Sequence, residues 1–213
     1  MPKANTLAAT PECAQFIILA ATELLAEVGY GAMSMRQLAS RAGILPGSLY
    51  HHVASKQDLL SLVLMDLLQA RDRAWRGLPR RRGVLSELQS FIRFVLAWQV
   101  SHPLHVKVLA RERHYLQPHL QAWLCCRPDN LQLQLQALLQ RGLRQGVFTG
   151  IEVESASLAI MALLGTADTL HERSPAWTLS HMEAHFLQMT RRLLGVKDAQ
   201  VPAPQARLAH IEG

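Results

Sequence analysis

Residues 34–56, SMRQLASRAGILPGSLYHHVASK, read as two short helices joined by a tight turn, followed at once by the start of a third. Ser34 has the chemistry of an N-cap, and Gln37 three residues on completes an S-x-x-Q capping box. Leu38, Ala39 and Ala42 sit at helical spacing and can pack inward, which leaves Arg36 and Arg41 on the wet side. Gly43 suits the left-handed position just past a helix end, and Ile44 can then plug the corner between two helices. Pro46 fits the first position of a new helix, where its missing N–H costs nothing. Leu49 and Val53, four apart, hold that second helix on the first. Ser55 with Asp58 repeats the capping box and opens the next helix. The pattern is helix-turn-helix.

Its charge suits a polyanion. From Ser34 to Gln57 there is no acidic residue, and Arg36, Arg41 and Lys56 give a formal charge of +3. The small Gly47 and Ser48 open the second helix and let the backbone approach a major groove closely. Tyr50, His51 and His52 then offer an O–H and imidazole N–H groups at the reach of phosphates. Lys56 lies in the first turn of its helix, where free N–H groups and the dipole already favour a phosphate. The competing reading is an ordinary αα-hairpin with a solvated basic face.

Placed soon after an N-terminal amphipathic helix, the run S-M-R-Q-L-A-S-R-A-G-I-x-P-G-S-L-Y-H-H-V-x-S-K-x-x-L-L resembles the tetracycline-repressor (TetR) family of bacterial transcriptional regulators. The resemblance covers roughly residues 16 to 64. It implies an all-α homodimer with an N-terminal three-helix DNA-binding domain and a larger C-terminal helical domain for ligand binding and dimerisation. It also implies that Ser34, Tyr50 and Lys56 hold the phosphate backbone, joined by His51 or His52, and that Arg36, Pro46, Gly47 and Ser48 lie nearest the base edges. Leu45 departs from the family pattern, which often has a polar N-cap there. Leucine cannot cap, so either this helix starts loosely or Leu45 packs against a thymine methyl.

The 213 residues are 49% hydrophobic, enough for a good core and one or two domains. Net charge is +6, which permits a polyanionic partner without requiring one. Over residues 1 to 60, Lys3, Arg36, Arg41 and Lys56 balance Glu12, Glu23, Glu27 and Asp58, so the positive charge there is concentrated on the helix-turn-helix. Three cysteines, no signal-type N-terminus and no apolar run of membrane-spanning length point to a reducing cytoplasm.

Four segments are expected: a helix-turn-helix domain at 1–54, a bridging helix and linker at 55–82, a ligand-binding and dimerisation domain at 83–195, and a disordered tail at 196–213. Residues 1 to about 10 read as a frayed arm. Phe16, Ala20 and Leu24, with Ile17, Leu25 and Val28 beside them, form the face of a first helix ending at Gly29-Tyr30-Gly31. Ser55 to Leu78 reads as one long helix, broken by Gly77, Pro79 and the run Arg80-Arg81-Arg82-Gly83. That run is either a solvated linker or a supplementary phosphate contact. Further helices are expected at 84–101, 104–115, 118–145, 151–172 and 179–194. Gln and Leu alternate at 131–136 as a strand would, but both are good helix formers and the segment continues helically through Leu139. The resemblance implies that the last two long helices build a four-helix dimer interface; an ordinary internal core is the alternative.

No G-x-G-x-x-G, P-loop, H-E-x-x-H, G-x-S-x-G or paired C-x-x-C motif occurs, and no catalytic, metal or cofactor site is assigned. Cys125-Cys126 reads as buried structural cysteine, with thiol sensing as the alternative. His181 and His185 have metal-chelating i, i+4 spacing but lack a nearby third ligand, so exposed or interface histidines are the competing reading. The resemblance places an inducer inside the C-terminal helical stack. Large amphipathic residues on apolar faces there are Trp98, His102, Arg113, His114, Trp123, Met161, Asp168 and His171, each with a core, interface or surface role as its alternative. The Arg/His character of 111–114 points to an anionic or acyl-thioester ligand, and some regulators in the family bind acyl-CoA. The expectation is a dimeric repressor that binds a palindromic operator and is released by a small-molecule inducer. An activator, an architectural helical DNA-binding protein and an enzyme are the rival classes.

Overall fold

The computed structural model describes residues 11–79, 81–125, 130–173 and 176–196, without the side chains of 11, 12, 125, 171 and 172. The N-terminal arm, Arg80, Cys126, the Cys125 and His171 side chains and the tail from 197 onward lie outside the described residues. Those described are helical, with no strand among them.

Eleven helices follow in order among these residues: α1 (Pro11–Ala32), α2 (Met35–Arg41), α3 (Pro46–His52), α4 (Lys56–Arg76), α5 (Val84–Ser101), α6 (Pro103–Glu112), α7 (Pro118–Cys125), α8 (Leu131–Arg144), α9 (Val153–Leu164), α10 (Ala167–Arg173) and α11 (Leu179–Leu193). A single 3₁₀ turn, Arg113–Tyr115, extends α6. The alternating Gln/Leu segment is helical, as its propensities required.

Three expected features are corrected. The helix expected at 118–145 is two helices, and Asn130 caps the second by accepting from the Gln132 N–H at 2.9 Å. Pro128 stands between them in the sequence, and a residue without an N–H cannot carry a helix through. The helix expected at 151–172 breaks at Gly165-Thr166, where the Gly165 N–H turns back to the Met161 and Leu163 carbonyls. At the start of α4, Ser55 Oγ accepts from the Asp58 N–H at 3.1 Å, but the Asp58 carboxylate takes the Ser55 hydroxyl instead of its backbone N–H. That is a capped N-terminus, not a reciprocal box.

Two cores result. The first joins α1–α4 to α6 and α7: Ile17, Leu25, Leu38, Leu49, Leu60 and Leu64 are buried with Val108, Leu116 and Leu124. The second joins α5, α8, α9, α10 and α11 through Phe91, Ile92, Leu135, Phe148, Ile160 and Phe186. Each such side chain contributes roughly 1.5–3 kcal/mol on burial. Residues 13–32 and 153–170 reach a mean hydropathy of 1.3, the level of a candidate membrane span, which corrects the expectation that no run would. Inside the fold the first window is most of α1, 39% of it buried, and the second is 28% buried and interrupted at Gly165.

Candidate nucleic-acid interface and ligand cavity

The helix-turn-helix forms from local chemistry. Ser34 Oγ accepts from the Gln37 N–H at 3.2 Å and Gln37 Oε1 accepts from the Ser34 N–H at 2.7 Å, a complete capping box. Gly43 takes φ 65°, the left-handed conformation the turn demands. Leu45 occupies the N-cap of α3 with no side-chain cap bond and is 75% exposed, as a leucine there must be. Pro46 takes the first turn. On α3, Leu49 points inward, while Pro46, Gly47, Tyr50 and His51 are exposed and Ser48 is half-buried. A Cβ added to Gly47 would meet nothing within 4 Å, so nothing among the described residues requires a glycine there.

Three neighbours differ from the sequence picture. Arg41 donates to both Glu27 oxygens at 2.6 and 2.8 Å, so its charge is matched from α1 and the local excess rests on Arg36 and Lys56. This bond lowers the Glu27 carboxyl pKa and raises that of the guanidinium. His52 is half-buried and points its Nε2 at Cys13 Sγ, 3.8 Å away, leaving His51 as the histidine on the outer face. Lys56 Nζ lies 4.4 Å over the Tyr30 ring and 3.5 Å from the Gly31 carbonyl.

Tyr30 is also where the two halves meet. Gly29 breaks α1 with φ 80° and ψ 163°, a conformation open essentially to glycine alone. The freed Tyr30 N–H donates to Glu112 Oε2 at 3.0 Å. Glu112 is 1% exposed and also accepts from Arg111 Nε, while Arg111 Nη2 donates to the Leu25 carbonyl. Gln57 Nε2 bridges the Tyr30 hydroxyl and the Tyr115 carbonyl, both at 2.9 Å. The end of α6 thus grips the end of α1.

The eight inducer candidates separate. Arg113 and Met161 line one cavity of about 130 Å³ with Leu64, Leu68, Arg71, Asp72 and Leu109. Leu124, the α8 N-cap Asn130 and Gln132 of α8 also line it. Trp98 and His102 stack on each other, with centroids 3.7 Å apart, beside His105. Burial lowers the His105 pKa, His102 lowers it further, and Asp66 opposes both. Asp168 lies in a second groove, of about 160 Å³, with Leu96, Gln99, Val100, Pro103 and Met182. His114 and Trp123 are exposed. Arg71 and Asp72 were missed because a charged run late in α4 looks like a solvated face. His181 and His185 are exposed, and among the described residues no group of three His, Cys, Asp or Glu could hold a metal ion.

An all-α chain that presents a capped helix-turn-helix on one core and has an open cavity between that core and the second is built as a helix-turn-helix transcriptional regulator. Residues 17–63 match the family model of bacterial regulatory proteins of the tetR family, and residues 84–194 match that of the tetracyclin repressor-like C-terminal domain. The chain belongs to the TetR family. It is 46% identical over 54 residues to the transcriptional repressor KstR2 of Mycolicibacterium smegmatis, which spans 25% of this chain and 26% of that one. Against the Escherichia coli tetracycline repressor protein class D it is 27% identical over 142 residues, covering 62% of this chain and 57% of that one. The chain therefore spans about a quarter to somewhat over half of these curated relatives. A tetR-family regulatory protein from Rhodococcus RHA1 superposes with a TM-score of 0.75 at 22% identity, over 89% of this chain and all of that one.

Gly47→Ala tests whether the open space over Gly47 is reserved for an outside partner. Alanine should raise stability by roughly 0.5–1 kcal/mol through helix propensity. The same methyl should weaken operator binding about tenfold by keeping the backbone off the groove. Equal operator affinity in a fluorescence titration would show that α3 does not approach that closely.

Proposed function

We propose that this chain is a ligand-responsive repressor that acts as a homodimer. In this reading residues 1–54 read DNA, 55–82 bridge, and 83–195 sense the inducer and dimerise. Each subunit lays α3 into one major groove, and the dimer reads a palindromic site with half-sites roughly 34 Å apart or somewhat more. Ser34, Tyr50, His51 and Lys56 hold phosphates, and Arg36, Leu45, Pro46, Gly47 and Ser48 face the base edges; His52, turned toward Cys13, supports α3 instead. Leu158 on α9 and Met189 and Leu193 on α11 are exposed apolar side chains suited to a partner subunit.

One observation carries the ligand response. Leu109 and Arg113, at the cavity wall, flank Arg111 and Glu112, which grip α1. Tyr30, held by Glu112, carries Lys56 on its ring. A ligand that displaces α6 and α4 moves the reading head, and it lowers operator affinity by its preference for the displaced state.

The phosphate roles predict two different signatures. Lys56→Ala removes two cations from a dimer, so binding to every duplex weakens and the slope of log K against log salt flattens by about 2. Tyr50→Phe removes a hydroxyl without charge, so binding weakens with the slope unchanged. Unaltered binding by both variants at moderate salt would remove these two residues from the interface.

A further inference from the structure

Lys56 opens α4 directly after its Ser55 cap, and its ammonium is placed by a tyrosine ring. Nζ stands 4.4 Å from the Tyr30 centroid and 3.5 Å from the Gly31 carbonyl oxygen. A ring face attracts an ammonium without taking up a directional donor, and one long bond to Gly31 leaves further N–H groups for another acceptor. Ring and phosphate can therefore hold the same cation at once. The Tyr30 ring is itself held from the C-terminal half. It packs on Tyr115 with centroids 5.1 Å apart and planes 35° apart. Gln57, next to Lys56, donates from Nε2 to the Tyr30 hydroxyl and the Tyr115 carbonyl, both at 2.9 Å. The Tyr115 hydroxyl also reaches Gly31, 3.9 Å from where a Cβ would stand. Tyr115, on the 3₁₀ turn after α6, thus touches both groups that hold Lys56.

We propose that Tyr30 and Tyr115 are positioning residues for the operator. The ring pair holds the Lys56 ammonium in place for a phosphate, so Tyr115 sets DNA affinity without touching DNA. The proposal rests on the phosphate role of Lys56 and names what orders it. A lysine carries a flexible four-carbon stem, and ordering it only on binding costs roughly two- to tenfold in affinity. A ring that orders it beforehand recovers that loss. The opposite sign would make the ring a brake that competes with the phosphate. Two observations favour positioning: the Gly31 bond is long, and the ring attraction engages no single N–H, so neither has to break when a phosphate binds.

Binding titrations of the full chain with a selected palindrome and a scrambled duplex, arranged as double-mutant cycles, test the link. Tyr30→Leu should weaken both duplexes by roughly two- to fivefold from each subunit, or roughly four- to twenty-five-fold for a dimer. Tyr30→Phe keeps the ring face and should recover most of that loss. Tyr115→Leu should weaken both duplexes by roughly two- to fivefold for a dimer, and Tyr115→Phe should restore them. In a Lys56→Ala background, neither leucine variant should change affinity by more than about twofold, whereas a merely structural role would persist there. Should Tyr30→Leu fail to fold, Tyr115, which is 42% exposed, carries the same cycle. Equal losses with and without Lys56, or tighter binding by either leucine variant, would overturn the positioning. Lys56→Ala with parental affinity would remove the phosphate role itself. Lys56→Ala that binds weakly, while both leucine variants bind like the parent, would sink the ring pair alone.

Discussion

Glu112→Leu is expected to destabilise the protein by roughly 3 kcal/mol, the lower end of what breaking a buried charge pair costs. The carboxylate is 1% exposed and accepts from both the Tyr30 N–H and Arg111 Nε. Leucine fills similar volume but leaves the Tyr30 amide without an acceptor and Arg111 without its counter-charge. Arg111 is 38% exposed, so water recovers part of the loss, which places the value low in that range. For a chain of this length the melting temperature should fall by roughly 6–12 °C. Glu112→Gln keeps a carbonyl for the Tyr30 N–H and should lose about half as much. Melting curves followed by circular dichroism read both variants. If the leucine variant melts with the parent, the contact between α6 and α1 holds nothing. The same variant should bind operator with its ligand response reduced, because the contact joining Leu109 and Arg113 to Tyr30 is gone.

That joint was invisible in the sequence, and the reason is separation. Glu112 and Tyr30 lie 82 positions apart, and neither neighbourhood carries a motif. Arg41 and Glu27 are 14 apart on different helices, so a segment without acidic residues looked more basic than it is. By contrast, the helix-turn-helix was legible because its devices are local. The Ser34/Gln37 box spans one helical turn, Gly43 marks the left-handed residue, and Pro46 marks the helix start. Inducer candidates chosen by residue type are spread over separate places in the fold. Trp98 and His102, one helical turn apart, stack on each other, whereas Arg113 and Met161 meet only because the 3₁₀ turn after α6 and α9 border one cavity. The breaks before Asn130 and at Gly165 were hidden by good helix formers on either side, although Pro128 was a signal in plain sight.

Arg36→Ala is expected to lower operator affinity by roughly 2–6 kcal/mol, because a bidentate base contact is worth about 1–3 and a symmetric dimer makes it twice. Arg36 follows the Ser34 cap in α2, is exposed, and among the described residues has no carboxylate partner of the kind that Glu27 supplies to Arg41. Its guanidinium is therefore available to a partner while that of Arg41 is already engaged. The specificity of the loss matters more than its size. A base-reading arginine distinguishes operator from random duplex, so Arg36→Ala should collapse the ratio of specific to non-specific affinity. Lys56→Ala should lower both affinities together and preserve that ratio. Folding is not at stake, since the capping box and the buried Leu38 and Ala39 that hold α2 do not involve the Arg36 side chain. Binding titrations of each variant with a selected palindrome and a scrambled duplex, across several salt concentrations, give both quantities. A uniform loss for Arg36→Ala would move it to the phosphate contacts and leave base reading to Leu45, Pro46, Gly47 and Ser48 at the start of α3.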